Sequence, residues 1–95
     1  MTRDPAEIMT ILAHQFPALK DAPGLDPWIP STFDEWAASD LRGSGVRAVA
    51  RFLFAVWNGD EKTWKVGGFR LHDLANMDDE NLEVWKTWAA RPTFL

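Results

Sequence analysis

Two histidines are the side chains of this sequence best suited to acid–base or metal chemistry. His14 lies in an N-terminal helical pattern, and His72 directly follows Leu71. With no cysteine and no third histidine, a zinc ion would have to complete its ligand set with carboxylates. We therefore expect no catalytic group, no metal site and no cofactor, and we expect that the chain is not an enzyme.

Two glycine-containing motifs resemble active-site motifs but lack a defining part. Ser44 lies between two glycines, whereas a nucleophile elbow has the spacing G-x-S-x-G after a strand. We interpret Ser44 as a helix N-cap. Gly67-Gly68 has neither the lysine of a phosphate-binding loop nor G-x-G-x-x-G spacing, so it predicts a turn with positive φ.

Carboxylates are concentrated in two segments, 21–40 and 71–85, which contain no lysine or arginine. Ten of the fourteen acids lie there, and such segments repel a phosphate backbone and attract a basic surface. From them we predict the following partner-binding residues: Asp34, Glu35, Asp73, Asp78, Asp79, Glu80 and Glu83. For 78–80 an alternative is that first-turn acids only complement the helix dipole, by about 0.3–1 kcal/mol each.

The densest basic group is Arg42, Arg47 and Arg51, with Arg47 and Arg51 at i, i+4 spacing on one helical face. They could contact phosphate. We favour the alternative that they pair with acids inside the fold, because the helix that carries them is otherwise apolar.

Length and composition predict a single domain, 1–95, which buries roughly 60–65% of its unfolded surface. Six tryptophans and six phenylalanines can supply much of the core. The lack of cysteine fits a reducing compartment, and no segment approaches the roughly 20 apolar residues of a membrane span. We expect a cytoplasmic protein, monomeric or dimeric, with no membrane partner.

The N-terminal half predicts two helices joined by a stiff connector. Asp4-Pro5 predicts the start of the first helix, with Glu7 completing a capping box, and Pro17 predicts its end near Gln15. The predicted buried stripe is Ile8, Ile11, Leu12 and Phe16. The connector 23–30 has three prolines and should bury Trp28 and Ile29, and Thr32 and Glu35 predict a second capping box.

The C-terminal half predicts an apolar helix at about 46–57 and a last helix at about 79–90 that is capped by Asp78. Between them, the residues at about 61–71 have extended character. The fold class expected is therefore mainly α, with three to four helices around the central apolar helix and a short extended or β-hairpin element at about 61–71.

Two segments of the sequence resemble a family of small proteins encoded on proteobacterial mobile elements and phages. The segments are 49–58, VARFLFAVWN, and 67–74, GGFRLHDL, beside the family pattern VA-x-FLLAWWN and GGFDLTDL followed by an aspartate, a place that Asp78 would take. The family carries no established activity, so the resemblance implies genomic context. Arg70 and His72 depart from its pattern.

Small acidic proteins from such elements often inhibit host defence. The first functional hypothesis is accordingly a protein-binding inhibitor that covers a basic site on a bacterial nucleic-acid-handling defence complex, in an anti-CRISPR-like manner, without direct contact to nucleic acid. The alternative is a small helical DNA-associated regulator, which would need Arg42, Arg47, Arg51 and Lys62 in one exposed stripe.

Overall fold

The computed structural model describes residues 4–39, 41–58 and 62–94. These ranges contain four α-helices: α1 (Pro5–His14), α2 (Pro30–Ala37), α3 (Ser44–Trp57) and α4 (Asp79–Ala90). The connections between them contain two 3-10 helices, Pro17–Leu19 and Leu71–Asn76. The described ranges contain no strand, and their one β-bridge joins Leu25 to Trp28. The mainly helical prediction is confirmed.

The start and end of α1 follow from its sequence. The Asp4 carboxylate accepts a hydrogen bond from the Ala6 N–H at 2.9 Å, and Pro5 occupies the first turn. Gln15 is the C-cap, as predicted from Pro17. The predicted buried stripe is wrong in part, because α1 turns Met9 and Ala13 into the core while Ile11 stays exposed.

The connector between the first 3-10 helix and α2 is folded tightly against α2. Leu25 and Trp28 are buried, but Ile29 is exposed, so the prediction holds for Trp28 and fails for Ile29. Gly24 has a φ of +79°, and a Cβ there would lie 2.8 Å from the Phe33 nitrogen. A side chain at this position would therefore be strained and would also clash with α2.

The second helix begins earlier than the capping pattern predicts. Its N-cap is Ile29, which has no side-chain capping bond, and Pro30 takes the first turn. Thr32 and Glu35 therefore lie inside the helix, and the predicted capping box is wrong. Proline at the first helical position needs no hydrogen-bond acceptor and has a helical φ already.

Helix α3 carries the largest share of the core. Seven of its fourteen residues are buried: Ala48, Val49, Ala50, Phe52, Leu53, Phe54 and Val56. It packs against α1, α2 and both 3-10 helices. Its N-cap is Gly43, without a side-chain bond, so Ser44 is the first helical residue and the predicted Ser44 cap is wrong.

The predicted extended or β-hairpin element at about 61–71 is also wrong for the part that is described, while residue 61 lies outside the described residues. Residues 62–70 form turns and irregular chain. Side chains of α2 and α3 bind the backbone groups that a β-strand would use for pairing. The Asp34 carboxylate accepts the Lys65 and Val66 N–H groups, and Arg51 Nε donates to the Val66 carbonyl at 2.7 Å. The predicted glycine turn is confirmed, with φ +84° at Gly67.

The last helix matches its predicted bounds and its predicted cap. Asp78 accepts a hydrogen bond from the Asn81 N–H at 3.0 Å. Leu82, Trp85 and Trp88 of this helix pack against the core and are partly buried. Within the described ranges, no helix has the length and apolar character needed to cross a membrane.

Candidate functional site

Four carboxylates occupy the N-terminal part of α4, and we call Asp78, Asp79, Glu80 and Glu83 the α4 acidic surface. All four are exposed. Asp79 and Glu83 are at i, i+4, and Glu80 and Glu83 at i, i+3, so three of the four can lie on one side of the helix. This is the group that the sequence predicts to meet a partner.

The four acids are not equally available to bind a partner. Asp78 is the helix cap, and its Oδ1 accepts from both the backbone and the side-chain amide of Asn81. Glu83 lies 3.3 Å from the Lys86 ammonium, but both side chains are more than half exposed. Such an exposed pair contributes little free energy, so it can be exchanged for a partner's cation. For Asp79 and Glu80, the described residues supply no hydrogen-bond or ion-pair partner.

Asp73 does not belong to this surface. It is 3% exposed, and its Oδ1 lies 2.9 Å from Arg51 Nη1. Its second oxygen accepts the Arg70 N–H at 2.9 Å, which caps the second 3-10 helix. The prediction that Asp73 contacts a partner is corrected, while the predicted pairing of Arg51 with an acid inside the fold is confirmed.

Asp34 is the second predicted contact that the fold buries. It is 5% exposed, and its two oxygens accept the N–H groups of Lys65 and Val66 at 2.9 and 3.1 Å. Asp34 therefore stabilises the fold, because it binds two backbone amides of a segment that lies more than thirty residues further along the chain. Its neighbour Glu35 is exposed on α2.

The residue that sequence reasoning missed is Asn81. It is 3% exposed, its Oδ1 accepts the Ala18 N–H at 3.1 Å, and its Nδ2 donates to Asp78. Asn81 thus fastens the N-terminal turn of α4 to the first 3-10 helix and fixes how the acidic surface is presented. One signal was present: Asn81 lies four residues before Trp85 and seven before Trp88, on the same face of the helix.

The histidines and carboxylates of the described ranges form no metal site. His14 and His72 are both exposed. No group of three or more histidine or carboxylate side chains within these ranges is placed to hold a metal ion. The expectation that the chain is not an enzyme stays a prediction.

Two recesses lie away from the acidic surface. An apolar groove of about 240 Å³ runs between α1 and the end of α4 and is lined by Ile8, Ile11, Leu12, Gln15, Val56, Trp88 and Thr93. A polar recess of about 240 Å³ is lined by Ala38, Arg47, Arg51, Lys65 and Val66. The first has mainly apolar walls, whereas the second gathers three cationic side chains.

Segments 49–58 and 67–74 meet in the fold. Arg51 of the first segment holds Asp73 of the second, and Phe52 packs edge-on against Phe69 with ring centroids 5.8 Å apart. The two segments are therefore joined by one ion pair and by the packing of two aromatic rings. Comparison of the chain with protein-family models, curated proteins and solved structures found no match.

Proposed function

We propose that this chain is an acidic protein-binding protein that places the α4 acidic surface on the basic surface of another protein. The observation that carries the proposal is that the fold buries some of the predicted contact acids and leaves others exposed. Asp34 and Asp73 are used in internal hydrogen bonds, while Asp79, Glu80 and Glu83 project together from an anchored helix start.

Physical arguments support such a surface as a docking site. Exposed charges of one sign raise the association rate with an oppositely charged partner and favour one orientation of approach. The anchoring of Asp78 and Asn81 holds the helix start in place, so little ordering entropy is lost on binding.

The class of partner proposed is a bacterial nucleic-acid-handling defence complex, whose nucleic-acid channel is basic. An acidic surface of this kind would compete with the phosphate backbone for such a channel, which is an anti-CRISPR-like mode of inhibition. The resemblance to proteins of mobile elements supports this choice of partner.

The contacts of the arginines weigh against the alternative, a DNA-associated regulator. Arg51 is bound to Asp73 and to the Val66 carbonyl. Arg42 stacks on the Trp36 ring at 4.3 Å from its centroid, and Arg47 donates to the Ser39 carbonyl at 3.0 Å. To form an exposed stripe for phosphate contacts, these arginines would have to break the interactions just described.

The test uses a double charge reversal, Asp79→Lys with Glu83→Lys. A basic partner recovered by pull-down from bacterial lysate should associate more slowly with this variant, and the loss should shrink as salt is raised. Glu7→Lys with Asp21→Lys is the matched control, since it makes the same change in net charge at exposed positions elsewhere. Equal binding of the parent and the α4 variant, with both folded, would overturn the proposal.

A further inference from the structure

We propose that segment 64–69, which we call the lid, opens away from α3 while the α-helices stay folded. The lid leads through Arg70 into the second 3-10 helix. Between the lid and α3 lies a recess of about 100 Å³, which is lined by Arg51, Phe54, Ala55, Asn58, Trp64, Gly67, Gly68 and Phe69. This device is independent of the acidic surface and of the function proposed above.

The polar contacts that hold the lid closed are concentrated at two adjacent residues. The Asp34 carboxylate accepts the N–H groups of Lys65 and Val66 at 2.9 and 3.1 Å. Arg51 Nε donates to the Val66 carbonyl at 2.7 Å. Each of these bonds joins a side chain of α2 or α3 to the backbone of the lid, so breaking them leaves the hydrogen bonds within the helices intact.

The backbone of the lid is not paired with the rest of the fold. Across residues 4–39, 41–58 and 62–94, its one backbone–backbone hydrogen bond joins the Gly67 N–H to the Trp64 carbonyl at 3.1 Å, inside the lid itself. The two glycines that follow Val66 also gain more conformational entropy on opening than other residues would. Segments with few backbone ties open locally at a lower free energy than the whole domain unfolds.

The apolar side of the lid rests on two rings of α3. Trp64 stacks on Phe54 with ring centroids 4.2 Å apart, and Phe69 meets Phe52 edge-on at 5.8 Å. The recess leaves part of this side without packing contacts, so opening loses less dispersion energy than it would at a close-packed site. Opening would uncover the Phe54 ring face that Trp64 covers, and this ring is 1% exposed in the closed state.

The chain directly after the lid is anchored independently of it. Asp73 lies 2.9 Å from Arg51 Nη1, and its other oxygen accepts the Arg70 N–H. The second 3-10 helix also packs against α3. The lid can therefore lift at Lys65 and Val66 while Asp73 keeps the following segment in place.

The first test follows amide hydrogen exchange of the unmodified chain by NMR, at urea concentrations below the unfolding transition. The Lys65 and Val66 amides should exchange about tenfold or more faster, relative to their intrinsic rates, than the Leu53 amide in the middle of α3. Their rates should hardly change with urea, because lid opening exposes little surface, whereas the Leu53 rate should rise steeply. Equal rates with equal urea dependence would overturn the inference, since the lid would then open only in global unfolding.

The second test is Gly67→Ala. A Cβ at Gly67 has no atom within 4 Å, but the φ of +84° is unfavourable for alanine, so the substitution strains the closed lid without a clash. Exchange at Lys65 and Val66 should rise about tenfold, since the open lid releases the strain. Gly43→Ala is the matched control, because a Cβ there also meets nothing within 4 Å and its φ is −79°.

Gly43→Ala should change the exchange of Lys65 and Val66 by less than about twofold, because it alters a residue outside the lid. Unchanged exchange in Gly67→Ala, or an equal change in both variants, would overturn the inference. If Gly67→Ala does not fold, the urea dependence of exchange in the unmodified chain decides the question.

Discussion

The Arg51 guanidinium and the Asp73 carboxylate lie 2.9 Å apart and join α3 to the second 3-10 helix. The acid is almost fully buried, while the arginine side chain is 31% exposed. Asp73 also accepts the Arg70 N–H, so this carboxylate both caps the second 3-10 helix and ties it to α3. Its burial removes it from any partner-binding surface and makes it a determinant of stability.

Arg51→Ala should lower the free energy of unfolding by about 2–3 kcal/mol, because it leaves the buried Asp73 carboxylate without its cation. Urea unfolding measures the loss. The double variant Arg51→Met with Asp73→Leu should lose less than the sum of the single variants, since it leaves no unpaired charge. Additive losses would show that the pair makes no net interaction.

Asp34→Ala and Glu35→Ala form a matched pair of adjacent acids with opposite expected outcomes. Asp34→Ala leaves the N–H groups of Lys65 and Val66 without an acceptor, so it should destabilise the fold by about 1–3 kcal/mol. Amide hydrogen exchange should speed up at these two residues. Glu35→Ala should stay within about 0.5 kcal/mol of the parent. Equal effects would contradict the internal role of Asp34.

Leu53→Ala should cost about 2–5 kcal/mol, because Leu53 is completely buried in α3 and its truncation leaves a cavity. Leu41→Ala is the control, since Leu41 is 85% exposed. Thermal unfolding measures both variants. A melting midpoint of Leu53→Ala within a degree or two of the parent would show that the core is assigned wrongly.

Asn81→Ala should destabilise the start of α4 by about 1–3 kcal/mol, because the Ala18 N–H then loses its acceptor and Asp78 loses one donor. Glu80→Ala, one residue away and exposed, should lower stability by less than about 1 kcal/mol. If the proposed docking function holds, Asn81→Ala should also weaken partner binding without changing its salt dependence. The check is association kinetics at two salt concentrations.

The chain should not shift duplex or single-stranded DNA in a gel at physiological salt. Fourteen acids oppose ten bases, so counterion release supplies little free energy of binding. Micromolar affinity that falls steeply with salt would favour the DNA-associated regulator, and Arg47→Glu would then be the variant to compare.

The sequence by itself determined the elements whose ends are set by local chemistry. Asp4-Pro5 began α1, Pro17 followed its end, and Asp78 capped α4 at the predicted place. These signals act over one helical turn, so no knowledge of distant residues is needed. The periodicity of apolar side chains predicted the buried face of α1 less well, because the elements that pack against a helix decide which of its faces is covered.

Only the tertiary structure decided what the acids do. Asp34 and Glu35 are adjacent acids of the same block, yet one binds two amides more than thirty residues away and the other is exposed. The same long-range contacts replace the expected hairpin, since Asp34 and Arg51 bind backbone groups at 65–66 that would otherwise pair with a strand. Such contacts depend on how helices pack, and no spacing within one segment encodes them.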